Sequence, residues 1–390
     1  MSQLHAIAAQ FAAGFASSGQ AATAPVVTVE PLGNGNINTT YLVTLSPAPS
    51  IARAKSADAS QFGQRFVLQR INTDIFHQPE LVIQNMTVLS EHLERHTGDL
   101  PRRWETPRIL PTNSGDSFVV DESGGYWRAI TFIENAQVFD TVKSPDHARE
   151  VGYGLAMFHT LLSTLPADSL ADTLQGFHIT PGYLAEYEQT LKSLPSSSRQ
   201  PDIQHCLNFI EQRKAWAHVL ENAKAAGELQ LRPIHGDPKV NNIMLGPNGQ
   251  AVSLIDLDTV KPGLVHYDIG DCLRSGCNPL GEETKDWRSV EFDTQLARAM
   301  LEGYLTLARN FLTEQDYHYL YDAIRLIAFE LGLRFFSDYL AGSVYFNVKY
   351  PEHNLDRALV QFQLTASIEK QEAELKALIE SLNPSSDQTP

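Results

Sequence analysis

Ile234-His235-Gly236-Asp237-Pro238-Lys239-Val240-Asn241-Asn242, followed after a short apolar pair of segments by Leu254-Ile255-Asp256, is the stretch on which the reading of this chain turns. An Asp stands two residues after a His, an Asn five residues after that Asp, and a second Asp closes the apolar run. Phosphoryl transfer asks little covalent chemistry of a protein: a carboxylate that orients the attacking hydroxyl, and oxygen ligands that hold Mg2+ on the donor's phosphates. Asp237 suits the first role, Asn242 and Asp256 the second. Taken singly the pieces are weak, because His-Gly-Asp is a common turn and Ile-Asp at a strand end is usually a solvated cap. Their order and separation carry the reading.

Pro247-Asn248-Gly249 offers a tight turn inside residues 241–257, so a β-hairpin is expected between Asn242 and Asp256. Upstream, strand-like segments at 26–31, 40–45, 65–71, 117–120 and 126–133 surround one amphipathic helix at 79–96. The segment 46–64 is polar and rich in small residues, and reads as a flexible loop. Past residue 134 the pattern turns to helices, at 147–165, 182–193, 201–226, 294–311, 314–341 and 355–382. The expected organisation is therefore α+β: a small antiparallel-sheet lobe over 1–134 that begins with an Ala-rich helix, a larger helical lobe over 135–382, and a frayed tail over 383–390.

The totals agree. At 390 residues with 43% hydrophobic content the chain can bury two sizeable cores, and a formal charge of −16 from 30 Lys+Arg against 46 Asp+Glu repels polyanions. Nucleic acid and anionic membrane are set aside as partners. Three scattered cysteines make no disulfide framework or C-x-x-C zinc pair, which places the protein in the cytoplasm by default. No apolar run approaches the length of a membrane span.

The catalytic stretch resembles that of the aminoglycoside phosphotransferase and choline kinase superfamily, relatives of protein kinases whose signature reads H-x-D-x-x-x-x-N followed by a strand ending in I-D. The resemblance implies a bilobal protein-kinase-like fold, ATP and Mg2+ as cofactors, and a small-molecule hydroxyl acceptor. It puts a glycine turn at the small-lobe entrance, where Leu32-Gly33-Asn34-Gly35-Asn36-Ile37 stands, so Gly33, Gly35 and Asn36 are expected on the phosphates. Kinases carry a phosphate-pairing Lys on the third strand. Here that strand reads Phe66-Val67-Leu68-Gln69-Arg70, and Arg70 is the expected substitute, with Glu80 or Glu91 of the next helix as its partner. Adenine is expected against the backbone of Phe132, Ile133 and Glu134. In His266-Tyr267-Asp268-Ile269-Gly270-Asp271-Cys272-Leu273-Arg274, Asp268 would buttress the catalytic loop, whereas Asp271 and Arg274 would face the acceptor or pair with each other. His159 resembles a packing histidine of the family.

Within the superfamily the chain is most similar to the N-acetylhexosamine 1-kinase branch. The segments concerned are Gly35-Asn36-Ile37-Asn38-Thr39-Thr40-Tyr41, Leu68-Gln69-Arg70-Ile71-Asn72, Trp127-Arg128, Gly176-Phe177-His178 and Ile255-Asp256-Leu257-Asp258-Thr259-Val260. That branch implies transfer to the anomeric hydroxyl of an N-acetylated amino sugar, with His178 as a sugar contact, in a monomer or homodimer. The rivals are kinases of choline, homoserine or aminoglycosides, and a nucleotide-binding pseudokinase scaffold. A protein kinase is disfavoured, since D-F-G and A-P-E segments are absent.

Overall fold

Alternation of apolar side chains along three consecutive strands builds the first layer of the structure, a computed structural model that describes residues 3–12, 26–33, 37–45, 65–96, 100–193 and 200–383. The chain divides into two compact units, Met1–Gly98 with Glu105–Glu134, and Asp99–Trp104 with Asn135–Pro390. The expected loop over 46–64, the tail past 383 and the second half of the Ala-rich helix lie outside the described residues.

The first unit holds helix α1 (Gln3–Ala9), strands β1 (Val26–Pro31), β2 (Thr39–Leu45) and β3 (Arg65–Arg70), helix α2 (Pro79–Glu94), and strands β4 (Ile109–Leu110), β5 (Val119–Val120) and β6 (Tyr126–Thr131). The sheet runs β1-β2-β3-β6-β4, with β5 on β6, and every pairing is antiparallel. Side chains alternate across a strand, so each residue's face follows from register. Val43, Leu45, Phe66, Leu68, Trp127 and Ala129 share one face and pack with Ile7, Ala8 and Phe11 of the α1 region. The opposite face meets α2. Pro79 opens that helix with its φ already set, and Val82 and Ile83 pack with Ile71, Ile109 and Tyr126.

The second unit is mainly helical: α3 (Pro145–Leu162), α4 (Thr180–Ser193), α5 (Pro201–Arg213), α6 (Val219–Ala225), α7 (Val265–Gly276), α8 (Thr294–Ala308), α9 (Glu314–His318), α10 (Leu320–Leu340), α11 (His353–Lys370) and α12 (Glu372–Leu382). Two small β pairs interrupt it before α7: β7 (Arg232–Ile234) with β10 (Lys261–Gly263), and the hairpin β8 (Ile243–Leu245) with β9 (Ala251–Leu254). The helices expected over 201–226, 314–341 and 355–382 are each broken in two, at the Lys214–Trp216 turn, after His318 and after Lys370. Helix α7, within the stretch read for its acidic residues, was not expected as a helix. Helix α3 crosses α8 at a mutual glycine contact. A Cβ on Gly152 would stand 2.0 Å from the Met300 carbonyl oxygen, and one on Gly303 2.0 Å from that of Arg149. Among the described residues no helix is long and apolar enough to cross a membrane, and the three cysteines are free and buried.

Candidate active site

The stretch after Ile234 leaves β7 and turns at once, because Gly236 takes φ +87°, with the Thr259 carbonyl oxygen 2.7 Å from where a Cβ would stand. His235 is buried. Its Nε2 lies 2.9 Å from the Ile255 carbonyl oxygen, and its Nδ1 accepts from the Asp237 amide at 3.2 Å, which fixes the proton on Nε2. The Asp268 carboxylate, fully buried on α7, accepts from the amides of His235 (2.7 Å) and Gly236 (2.8 Å). His159 Nε2 meets the same carboxylate at 2.8 Å, and its Nδ1 meets Tyr304 Oη at 2.8 Å. Burial pushes Asp268 up, but the hydrogen bond and charge of His159 and the nearby His235 outweigh it and hold the carboxyl below its usual range. His159 thus does more than pack, since it braces the carboxylate that braces the loop.

Asp237 follows with its carboxylate reachable by solvent. Oδ2 accepts from Lys239 Nζ at 2.5 Å, and among the described residues Oδ1 has no partner. Burial would lower the Lys239 pKa; the charges of Asp237, Asp256 and Asp271 outweigh it and hold the ammonium charged. Asn242 donates from Nδ2 to the Asp237 carbonyl oxygen at 2.7 Å, and its own backbone carbonyl accepts from the Ile255 amide at 2.9 Å. The side-chain nitrogen is engaged in this way, which leaves the Asn242 side-chain oxygen for a cation. Asp256, in the left-handed region at φ 66° and ψ 57°, ends the hairpin beside it. Surrounding protein and the Asp258 carboxylate push Asp256 upward against the pull of Lys239, with Asp237 adding to the push, although the side chain keeps contact with solvent. Two oxygen donors with surplus negative charge fit Mg2+, which takes one or two protein ligands and completes its shell with phosphate and water.

Helices α7 and α10 and the loop before α4 carry the side chains around this loop. Asp271 Oδ1 accepts from Arg274 Nε at 2.8 Å, whose NH1 also reaches Glu282 at 3.1 Å; Asp271 Oδ2 is buried and, among the described residues, has no hydrogen-bond partner. The internal pair is the arrangement observed: Arg274 is committed to carboxylates, and Asp271 keeps one oxygen. His178, expected on the sugar, is 4% exposed, with Nδ1 on Glu330 at 2.9 Å and Nε2 on the Gly236 carbonyl oxygen at 2.6 Å. Both its nitrogens are engaged by the protein.

Arg334 on α10 was not singled out from sequence. Its guanidinium lies 4.9 Å from the ring centroid of Tyr183, 5.1 Å from Phe177, 5.4 Å from Phe346 and 5.9 Å from Tyr345. Among the described residues it makes no hydrogen bond or ion pair. Burial alone would weaken its charge; Tyr183, Tyr345, Glu330 and Asp237 outweigh that and keep it protonated. The signal in the sequence is slight: one Arg in the apolar run Leu331-Gly332-Leu333-Arg334-Phe335-Phe336.

In the first unit Gly33 has φ +69°, as a phosphate-cradling turn would need, while Gly35 and Asn36 lie outside the described residues. Arg70 is exposed and pairs in register with Trp127, on the α1 face; its NH2 reaches Ser123 Oγ at 3.3 Å. Among the described residues neither Glu80 nor Glu91 pairs with it, and Glu80 accepts from Tyr126 Oη at 2.6 Å. The α2 face instead carries a polar ladder. Arg128 donates from Nε (3.1 Å) and NH2 (2.8 Å) to Gln69 Oε1, and Gln69 Nε2 to Thr40 Oγ1 at 3.2 Å. Phe132 lies under the Arg65 guanidinium at 4.5 Å, Ile133 is buried, and Glu134 accepts from Arg65 Nε at 3.0 Å.

Solved structures similar to this chain include a microcompartment-associated aminopropanol kinase, 16% identical, with a TM-score of 0.59 over 90% of this chain and 93% of that one. A choline kinase from Cryptosporidium parvum Iowa II is 13% identical, with a TM-score of 0.55 over 93% and 92%. An aminoglycoside phosphotransferase from Alicyclobacillus acidocaldarius is 17% identical, with a TM-score of 0.53 over 93% of each chain. At such identity the likeness concerns the fold. The sequence itself matches the family model described as APH, phosphotransferase enzyme family, over residues 28–311, and the chain belongs to that family.

Proposed function

We propose that the protein is an ATP-dependent small-molecule kinase whose acceptor is a neutral or anionic polyhydroxyl compound, best represented by the anomeric hydroxyl of an N-acetylhexosamine, giving the sugar 1-phosphate. The observation that carries the kinase reading is the convergence of Asp237, Lys239, Asn242 and Asp256 on one loop and hairpin. Asp237 Oδ1 accepts the acceptor's O–H and draws off its proton as the acceptor oxygen bonds to the γ-phosphorus and the bond from that phosphorus to the departing ADP breaks, while Lys239 holds Oδ2 in place. Mg2+, when bound, would sit on the Asn242 oxygen and the Asp256 carboxylate and neutralise phosphate charge. In the first unit Gly33, with the half-buried Gln69 and Thr40, would face the nucleotide phosphates, and the buried Arg128 guanidinium would hold Gln69 in place from behind. The ladder takes the place proposed for Arg70 because Arg70 belongs to the other face of the sheet.

The acceptor class rests on Arg334. An aromatic box that would suit a quaternary ammonium by cation–π attraction is here filled by the protein's own guanidinium. A choline-like or polycationic acceptor would meet like charge, whereas hydroxyl, acetamido or carboxylate oxygens would meet unengaged N–H donors. The same guanidinium favours one alternative, a hydroxy amino acid such as homoserine, bound through its carboxylate. Purified protein with ATP and Mg2+ is offered N-acetylglucosamine, N-acetylgalactosamine, homoserine, choline and kanamycin, and ADP and phosphorylated product are followed. Sugar 1-phosphate from the wild type, reduced about 1,000-fold in Asp237→Asn, is the expected result. Turnover with choline or kanamycin alone overturns the acceptor class.

A further inference from the structure

The Gly236 peptide units are held from both sides. The Gly236 amide donates to Asp268, and the Gly236 carbonyl oxygen, the group that leads directly into Asp237, points at His178 Nε2. A carbonyl oxygen carries no proton, so Nε2 bears the hydrogen. Nδ1 faces Glu330, whose other oxygen already accepts from Thr180 Oγ1 at 2.6 Å. An ionised carboxylate only accepts, so Nδ1 bears a hydrogen as well. Two N–H groups on one ring make an imidazolium. The ring is stacked on Tyr267 with centroids 5.4 Å apart, and His178 itself stands at φ 65°. That backbone conformation is costly for a residue with a Cβ and persists only where its surroundings over-determine it.

We propose that His178 is a positioning residue, a charged clasp between Glu330 of α10 and the Gly236 carbonyl that sets the peptide carrying the Asp237 carboxylate. The proposal rests on the kinase reading above, deepens it at the same site, and gives His178 a role other than direct sugar contact. The groups around the ring bear on its proton. Glu330 of α10 and Tyr267 of α7 face it and Asp271 of α7 adds its charge, while Arg334 of α10 acts on Glu330 and Tyr183 of α4 hydrogen-bonds the His178 backbone; Tyr267 Oη is in turn hydrogen-bonded to Glu221 of α6. Burial pulls the His178 pKa down, but the charge and hydrogen bond of Glu330, the Gly236 carbonyl and Asp271 outweigh it, and the net shift is upward. Glu330 is shifted the complementary way: burial raises it, and His178, Arg334 and Thr180 bring it below its ordinary value. A histidine with a raised folded pKa keeps its clasp below the ordinary histidine range and loses it as pH climbs through the folded value. Turnover should fall on that alkaline limb.

Three measurements decide the matter. In wild-type protein at pH 7, 15N chemical shifts of the His178 ring should show both nitrogens protonated, a readout that needs no acceptor and so stands if the proposed function fails. His178→Gln should lower kcat about 10- to 100-fold with the acceptor KM changed less than about threefold, and should abolish the alkaline limb. Glu330→Gln, which keeps the imidazole, should move that limb to lower pH and covers the case in which His178→Gln does not fold. A neutral His178 ring at pH 7 overturns the proposal. So does an unchanged kcat and pH profile in the folded variants, or a large rise in acceptor KM at constant kcat, which would make His178 a direct contact.

Discussion

Under the proposed function, Asp237 and Arg334 divide the chemistry at the level of single side chains. The first presents one carboxylate oxygen without a partner among the described residues, the second a whole guanidinium, and each has its surroundings fixed by neighbours that commit their own groups to the protein. Replacement of Arg334 by Ala should raise the KM of the accepted substrate about 10- to 100-fold, the worth of a charge-assisted hydrogen bond, and leave the ATP KM within about twofold. Improved turnover of choline in the same variant would follow from an emptied aromatic box. An acceptor KM unmoved by the change would remove Arg334 from the site. Little about Arg334 was visible along the chain, because an Arg in an apolar helix reads equally as a residue snorkelling to solvent. Asp237, Asn242 and Asp256 were visible because their spacing is local: a turn, one helical turn and a hairpin bring them together without help from distant residues.

Elements decide which face a side chain serves. Arg70 and Gln69 are neighbours in sequence, yet strand pleating sends them to opposite sides of the sheet. The cation on the side of α2 comes from β6, paired to Gln69 across the ladder. Arg70→Gln should therefore leave the ATP KM within about threefold, whereas Arg128→Gln should raise it about tenfold, because the two hydrogen bonds that hold Gln69 would be lost. Steady-state kinetics at saturating acceptor, with thermal melts to separate binding from stability, make the comparison; the reverse order would return the role to Arg70. Alternation along the chain located the main strands to within a residue or two but not their register, which requires the partner strand. Helix α7 escaped notice for a related reason: its buried residues include His266, Asp268, Asp271 and Arg274, so the segment reads as polar along the chain although its apolar residues recur at helical spacing.

Long-range ties hold the aromatic wall over Arg334. Asp338, one turn beyond it on α10, accepts from the amides of Val344 (2.9 Å), Tyr345 (2.8 Å) and Phe346 (3.0 Å) and from Asn354 Nδ2 (2.9 Å). Glu283 then gathers Lys349 and His353, each at 2.8 Å, and Arg357 with Nε at 2.8 Å, so three positive or potentially positive groups share one carboxylate. Burial pushes Glu283 up, but hydrogen bonds from Lys349 and Arg357, the Arg357 charge and the His353 bond bring it down to about 2. A carboxyl depressed on folding stabilises above its unfolded pKa and loses that contribution as pH falls toward the folded value. With its side chain 44% exposed, solvent screening discounts the effect to about 1–2 kcal/mol. Glu283→Gln should lower the melting temperature at pH 7, and the gap to wild type should close between about pH 4.5 and pH 2. A gap independent of pH would mean that packing and not charge holds the segment.

Sequence by itself determined the α+β composition, the sheet-forming start, the helical remainder and the gathering of Asp237, Asn242 and Asp256 on one loop and hairpin, because each depends on residues close enough in the chain to shape one turn, strand or helix face. Tertiary structure alone decided the direction of Arg70, the enclosure of His178 between Gly236 and Glu330, and the placing of Arg334 among four rings drawn from separated segments. Such contacts join residues as far apart as 152 positions, as between His178 and Glu330, and no local periodicity records them. They arise where packed helices leave a polar group one available partner.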